Sequence, residues 1–476
     1  MKEKSFHKTI FKNTGLFGFS QVLKILVRVV TNKFAAIFLG VTGIGVIGFL
    51  ENILTLIRSV TDVGMTQSSV REVALTKENF QSQRLLQVLY RWSWISGLIG
   101  TAVMTLFASQ FSLLVFDDES YALWFVLLSL YFLFTSVSAI RLAVLRGKNK
   151  VITIVKYEIV GAVITSLLAI PLYYFFGIKG IIPVFLITSL IGFLASLYFT
   201  RDIQILQSKV PLKDFMKEVS PMVKLGFLLS MNMVFWQLST YVIRWFLKDT
   251  ASIETLGIYQ VSNTFLVSYL GLIFTTMSND YYPRLCNYQE DEKSFTNLVN
   301  DQTELALFLV VPAILLLYLI VPTLIPLLYS SEFLEVLSIL QIGLFSVILK
   351  TVVWSIGYIP LVKGNKKMFF KQTVFGDVLN MLLSIVLFYY YGLQGLGIAI
   401  TTMFVISGIY TYQGVSRAYG FKFRADTKKV ISMSLLFGII GTFSVFLFGF
   451  TWKNPVLIPM LFISIGYSIW HLRNKL

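Results

Sequence analysis

The sequence predicts an all-helical, polytopic membrane protein, and three observations carry that prediction. Of 476 residues, 56% are hydrophobic and only 13% are charged, whereas soluble domains carry about 25% charged residues; mean hydropathy is +0.75. Apolar runs of about 20 residues recur from end to end, each long enough to cross a hydrocarbon core of roughly 30 Å. The basic residues alternate between loops in the way membrane topology demands. In a bilayer the backbone must satisfy its own hydrogen bonds, which makes each run a helix.

Fourteen spans are predicted, at approximately 13–39, 45–67, 86–108, 120–142, 151–175, 180–200, 222–247, 255–280, 302–328, 334–360, 369–391, 394–415, 430–450 and 454–471. The N-terminus, every second loop and the C-terminus, with the span edges beside them, hold 31 of the 40 Lys and Arg residues; the other loops hold four and the spans five. That bias places the basic loops and both termini in the cytoplasm. The acidic run Asp117-Asp118-Glu119 falls outside. All outer loops are short, leaving no room for an external catalytic domain.

The net charge of +16 would suggest nucleic acid in a soluble chain; here it is topological, and no nucleic-acid partner is expected. Met1–Lys12 is basic but lacks a short apolar core and cleavage site, so no cleaved signal is expected. Cys286 is the only cysteine, which excludes an intramolecular disulfide. His7 and His471 are the only histidines and lie at opposite ends, leaving neither a metal cluster nor a catalytic imidazole in the membrane.

Charges inside the spans are the candidate site. Gln21, Lys24, Arg28 and Asn32 share one stripe of the first span, and Glu51, Arg58 and Asp62 share one of the second. Lys24 and Arg58 both lie on the order of 15 Å from the cytoplasmic end at about 1.5 Å per residue. A cation at that depth costs a few kcal/mol unless it faces a wetted, protein-lined cavity. Lys350 lies mid-span, and Arg244 nearer the outer end of span seven, where it can instead snorkel. Glu51, Asp62 and Glu158 are salt-bridge partners or carriers of a coupled proton or sodium ion. Asp280 and Glu304 are expected to be solvated at span ends. A cationic pocket suits an anion, and arginine's planar fork suits phosphate oxygens, so the expected ligand is an amphiphile with a phosphate or pyrophosphate head. Asn32, Asn232, Trp236, Gln237, Tyr259, Asn263 and Trp354 are the candidate sugar contacts, beside Tyr241, Trp245 and Tyr358.

Gly43-Ile44-Gly45-Val46-Ile47-Gly48 spells G-x-G-x-x-G, but a dinucleotide site needs a soluble βαβ unit; here the glycines are expected to form a hairpin between spans one and two. Pro183, Pro312, Pro322 and Pro326 are expected to break or kink spans six and nine. The chain also echoes itself. Arg146-Gly147-Lys148-Asn149-Lys150 reappears as Lys363-Gly364-Asn365-Lys366-Lys367, and Gly177 near the end of the following span as Gly392. Two six-helix lobes follow, 1–200 and 222–416, joined by a basic linker 201–221; a basic loop 417–429 leads to a two-helix appendix, 430–476. Such parallel repeats place substrate at their interface.

The six, six and two arrangement, the repeated basic loop and the cations in the first two helices resemble the multidrug/oligosaccharidyl-lipid/polysaccharide exporter superfamily. Within it the chain is most similar to Wzx-type O-antigen flippases. That resemblance implies a non-enzymatic, alternating-access protein of the bacterial inner membrane. It implies transfer of undecaprenyl-pyrophosphate-linked oligosaccharide from the cytoplasmic to the periplasmic leaflet, with no cofactor beyond coupling to H+, Na+ or the membrane potential. Membrane lipids, and polymerase and chain-length machinery, are the implied partners. In related lipid II flippases, arginines of the first two helices face the cavity, and Arg28 and Arg58 occupy comparable places. The alternatives are an ion-coupled drug/cation antiporter of the same superfamily and, more remotely, a membrane glycan polymerase or ligase.

Overall fold

The computed structural model describes the backbone of residues 2–76, 80–203, 211–450 and 454–475, and within these the side chains from residue 23 onward except 80–81, 228–229, 279, 472 and 474–475. Gln21, His7, the segment Met1–Lys12, Lys209 and Lys453 lie outside the described side chains. No strand occurs among the described residues.

The helical stretch Lys2–Asp62 is interrupted only at Gly40 (φ 64°, ψ −165°) and so holds α1 (2–39) and α2 (41–62). Then follow α3 (Phe80–Leu106), α4 (Glu119–Gly147), α5 (Val151–Phe176), α6 (Ile181–Phe199) and α7 (Leu212–Thr250). After these come α8 (Ile253–Asn287), α9 (Glu292–Leu328) and α10 (Ser331–Val362). The stretch Lys366–Tyr419, broken at Gly392, holds α11 (366–391) and α12 (393–419); α13 (Ala425–Phe448) and α14 (Leu457–Lys475) complete the chain. Eight described stretches are apolar and long enough to cross a membrane, and three of them hold two of these helices each. The bent α3 and α7 and the shorter α14 bring the passages to fourteen, as the hydropathy pattern predicts.

Gly43–Gly48 is helix, not hairpin. The reversal falls at Gly40, because one residue with positive φ turns the chain while freeing very few backbone groups, and only glycine adopts it at no steric cost. Nor do the prolines break helices. Pro183 sits in the first turn of α6, where its missing N–H costs nothing, and α9 runs through Pro312, Pro322 and Pro326. The sharp bends lie elsewhere, 67° between Leu106 and Ala108 and 55° between Phe227 and Ser230.

The internal echo is a repeat of backbone geometry. Gly177 (φ 54°, ψ −135°) matches Gly392 (φ 56°, ψ −138°), and Asn149 (φ 53°) matches Gly364 (φ 76°). A Cβ on Gly180 would meet the Leu172 carbonyl oxygen, and one on Gly395 that of Leu387. The interval is 215 residues each time (177 to 392, 149 to 364, 180 to 395). Spelling pairs Gly147 with Gly364; geometry pairs Asn149 with it, since asparagine is the side-chain-bearing residue that best tolerates the left-handed helix stop.

The chain divides into two compact units, Met1–Tyr241 and Val242–Leu476. In the first, the N-terminal part of α7 packs with the six preceding helices. Arg84 donates to Glu218 at 2.5 Å and to Asp214 at 3.1 Å, and Phe215 and Val219 bury against Val88. Asn52 donates to Gln237 at 3.0 Å in the interior. The chain after α2 and α7 touch backbone to backbone, because a Cβ on Gly226 would sit 2.6 Å from the Val63 carbonyl oxygen and one on Gly64 would collide with Gly226.

In the second unit α9 is the axle, with Leu307, Val310, Ile314, Tyr318 and Val321 all fully buried. Its first turns correct one expectation. Glu304 is 1% exposed, not solvated. It accepts from Arg424 at 3.2 Å and from the Thr427 hydroxyl, with His471 Nε2 3.7 Å away. A buried carboxylate needs such partners, and they tie α13 and α14 to α9. Burial opposes the Arg424 charge, but Asp301 and Glu304 more than compensate and raise its pKa. Asp280 is exposed and pairs with Arg284 at 3.0 Å, as expected.

Gly226→Ala is expected to lower stability by about 1–3 kcal/mol through overpacking. Gly357→Ala, whose Cβ meets nothing within 4 Å, is expected to be neutral or stabilising. Thermal unfolding in detergent, followed by size-exclusion chromatography, checks both.

Candidate functional site

In the first unit two cations share one carboxylate. Glu158, about two turns into α5, faces α1, and Lys24 Nζ donates to its Oε2 at 2.8 Å. Arg146, at the end of α4, approaches its other oxygen at 3.8 Å. One acid therefore holds two cations. Next to α1 and α5, Thr31 and Ser166 share a 2.6 Å hydroxyl contact.

Glu158 also lines a cleft of about 420 Å³ between α2, α4, α5 and α6. Arg58 lines it, with no salt-bridge partner within 4 Å among the described residues. The other walls carry hydroxyls, from Tyr131, Thr135 and Ser138 on α4 and Tyr157 and Thr165 on α5. The α4 hydroxyls recur at four and three residues and the α5 pair is eight apart, about two turns, so each set lies on one stripe of its helix. Neither was singled out in the sequence, although a polar stripe in an apolar span is the signal that identifies them. The arrangement, hydrogen-bonding walls around an unneutralised guanidinium, can hold an anion that bears further hydroxyl groups.

Arg28 lies one turn beyond Lys24, 64% exposed, and reaches Glu51 at 3.4 Å, a loose pair between half-open side chains. Such pairs are worth roughly 0–1 kcal/mol, so Arg28 is available to a ligand at little cost. Among the described residues Asp62 makes no salt bridge within 4 Å. It instead caps the turn after α2, accepting from the Thr66 N–H at 3.1 Å and hydroxyl at 2.9 Å. Asn32 is half-buried on α1.

The remaining candidates do not gather at this cleft. Gln237 is buried against Asn52, Asn232 has a buried Oδ1 without a hydrogen-bond partner, and Trp236 is exposed. In the second unit Arg244 is 9% exposed and donates to Gln260 at 2.6 Å, so it does not snorkel. Tyr259 and Asn263 lie near it on α8, where Asn263 donates to the Tyr259 carbonyl at 3.2 Å. Lys350 stacks over the Phe274 ring at 5.2 Å. Trp354 and Tyr358 both donate to the Ser278 hydroxyl, at 3.1 and 3.0 Å, inside an aromatic cluster with Phe274 and Tyr281. Trp245 is exposed, and Tyr241 stacks on Phe49. Asp377 on α11 was not foreseen. Its Oδ2 is buried without a hydrogen-bond partner, and as the only acid in its span it was visible in the sequence. Among the described residues no group of three metal-ligating side chains occurs.

Long apolar helices around buried charge define a multi-pass membrane protein. The sequence profile of the polysaccharide biosynthesis protein family matches residues 34–338, and the chain belongs to that family. No curated protein sequence matches the chain. Among solved structures it is similar to the lipid II flippase MurJ in an inward closed conformation, with a TM-score of 0.74 at 18% identity over 96% of this chain and 97% of that one. It is similar also to an inward-facing multidrug resistance MATE family transporter of the MOP superfamily, with a TM-score of 0.64 at 14% identity over 87% and 95%. A MOP superfamily transporter from Pyrococcus furiosus, described as having a binding pocket of reversed polarity, gives a TM-score of 0.60 at 13% identity over 85% and 96%. At these identities the likeness establishes the fold.

Glu158→Gln is expected to destabilise the protein by about 1–3 kcal/mol, because Lys24 and Arg146 then face each other without their shared acid. Adding Lys24→Met is expected to recover part of that loss. Unfolding midpoints for the two singles and the double give the coupling.

Proposed function

We propose that the protein is a flippase for a lipid-linked oligosaccharide whose headgroup is a pyrophosphate, the undecaprenyl-pyrophosphate-linked repeat unit of an O-antigen or related surface polysaccharide. The observation that carries this reading is the cleft where Arg58, with no salt-bridge partner among the described residues, meets a wall of hydroxyls, next to Lys24 and the loosely held Arg28. Family membership and the likeness to a lipid II flippase support a lipid-linked substrate. In this mechanism Lys24, Arg28 and Arg58 take the pyrophosphate while Tyr131, Thr135 and Tyr157 hydrogen-bond the first sugar. The prenyl tail stays in lipid. Lys24 exchanges Glu158 for the phosphate, a swap of one anion for another that costs little desolvation. Alternating access between two lobes then delivers the head to the opposite leaflet.

No chemical bond changes, so the protein is a transporter and not an enzyme. If about two negative charges cross an inside-negative potential of 100 mV, export gains roughly 5 kcal/mol, enough to drive the cycle without a coupled ion. A second reading, an ion-coupled antiporter, draws on Asp377, whose buried oxygen lacks a partner; a proton or sodium ion would satisfy it. Transport that survives Asp377→Asn favours the potential-driven cycle, and transport abolished by it favours coupling. Polysaccharide polymerase and chain-length machinery are the partners this role would serve.

In cells lacking the gene, the lipid-linked repeat unit is expected to accumulate in the inner leaflet of the cytoplasmic membrane. Arg58→Ala and Arg28→Ala are expected to reproduce the defect at normal membrane levels, each lowering export at least tenfold, a loss of about 1.4 kcal/mol or more. Arg28→Lys is expected to be milder if charge alone matters. Normal export in both alanine variants removes the site assignment. The proposed orientation has both termini in the cytoplasm. In a Cys286→Ser background, Asp118→Cys is expected to react with an impermeant maleimide from the periplasm, and Asn365→Cys only after the membrane is opened.

A further inference from the structure

The second unit carries a basic cleft that the transport reading does not use. Because α11 and α12 are joined by the single-residue break at Gly392, the first turns of α11 and the last turns of α12 lie together, on the side of the basic loops. Between them is a cleft of about 380 Å³ lined by Lys367, Lys371 and Gln372 from α11 and Tyr410, Gln413 and Arg417 from α12. Lys367 and Lys371 are one helical turn apart, as are Gln413 and Arg417, so each helix presents one stripe to the cleft. No acid lines it, and none of the three cations has a carboxylate within 4 Å among the described residues. Like charges held this close repel, and only an anion relieves them.

Two further observations mark a site and not a chance crowding of surface lysines. Gln372 is 9% exposed, yet its side-chain oxygen has no hydrogen-bond partner. Leaving a buried amide unpaired costs about 1–3 kcal/mol. Opposite it stands Gly414, where a Cβ would lie 2.9 Å from the Met368 methyl and 3.3 Å from the Gln372 amide nitrogen; the missing side chain keeps that amide reachable. Below the charges the lining turns apolar. Tyr410 packs on Phe375 at 4.5 Å, and Ile409 and Ile406 continue along α12 as exposed apolar side chains. A charged mouth above an apolar, outward-facing track has the polarity of a lipid. The first copy of the loop motif does not build this: the cleft beside Gly147 and Asn149 has Lys148 as its only cation, and that lysine is already engaged.

We propose that this cleft binds the phosphate-bearing headgroup of a membrane lipid, with Lys367, Lys371 and Arg417 around the phosphate oxygens, the Gln372 side-chain nitrogen donating to one of them while its buried oxygen accepts from a headgroup hydroxyl, and an acyl or prenyl chain lying along Tyr410, Ile409 and Ile406. Basic residues next to a span attract anionic headgroups by about 1 kcal/mol each; the buried amide adds position. The site is independent of the flippase reading and stands whether or not the cleft at Arg58 carries substrate.

The test compares lipid binding to purified full-length protein by native mass spectrometry and thermal shift. The lipids are phosphatidylglycerol and a prenyl diphosphate, with phosphatidylcholine as the lipid control and inorganic pyrophosphate as the soluble one. Either anionic lipid is expected to bind at least tenfold tighter than phosphatidylcholine, and the tighter of the two identifies the resident headgroup. Lys367→Gln/Lys371→Gln/Arg417→Gln is expected to abolish that preference and Gln372→Leu to weaken it severalfold. Lys213→Gln/Lys217→Gln/Lys224→Gln, which removes equal charge elsewhere, is expected to keep it. Equal loss in both triple variants means general surface electrostatics and overturns the site. Pyrophosphate binding as tightly as the lipids overturns the lipid assignment.

Discussion

Glu158 is the constraint on which the first unit turns. Charged groups at membrane depth are tolerated only where other charges, hydrogen bonds or water receive them, and this carboxylate receives Lys24 from α1 and Arg146 from α4 while lining the same cleft as Arg58. It fixes three helices around a polar hollow where three cations, Lys24, Arg146 and Arg58, meet one acid. In the proposed cycle this acid is the group that the anionic headgroup displaces from Lys24. On that reading, structure and binding compete for Lys24.

The second unit solves the equivalent problem differently. Its buried acid near the membrane surface, Glu304, is fully engaged by Arg424 and Thr427 and serves to dock α13 and α14 on α9. Its mid-membrane charges are not brought into such pairs: Lys350 leans on an aromatic face and Asp377 keeps an unsatisfied oxygen. The halves thus repeat the backbone breaks at Gly177 and Gly392 to within a few degrees while their polar interiors have diverged. Backbone breaks repeat because a one-residue reversal in lipid admits few solutions; side chains facing a ligand are free to differ.

Much of the architecture was legible in the sequence. Span number and the two-part echo follow from hydropathy and spacing, since lipid leaves a chain little choice but helices of set length. The pairing of cations with acids was legible as a possibility for Glu51 and Glu158, because charges in spans must find partners. Asp62 shows the limit. Its helical register matches that of Arg58, but the helix ends beside it and its carboxylate is spent on the Thr66 cap. The aromatic candidates show another limit: Trp354 and Tyr358 neighbour polar residues in sequence, yet Ser278 takes both their donors.

By itself the sequence determined that this chain is a bundle of membrane helices, that cations lie within it, and that its halves repeat, because each of these depends on local composition or on periodicity along one helix. Only the tertiary structure decided which acid each cation meets, that the hydroxyls of α4 and α5 share a cleft with Arg58, and that Glu304 is buried. Those outcomes depend on which faces of separate helices come together, and no pattern within a single helix carries that information.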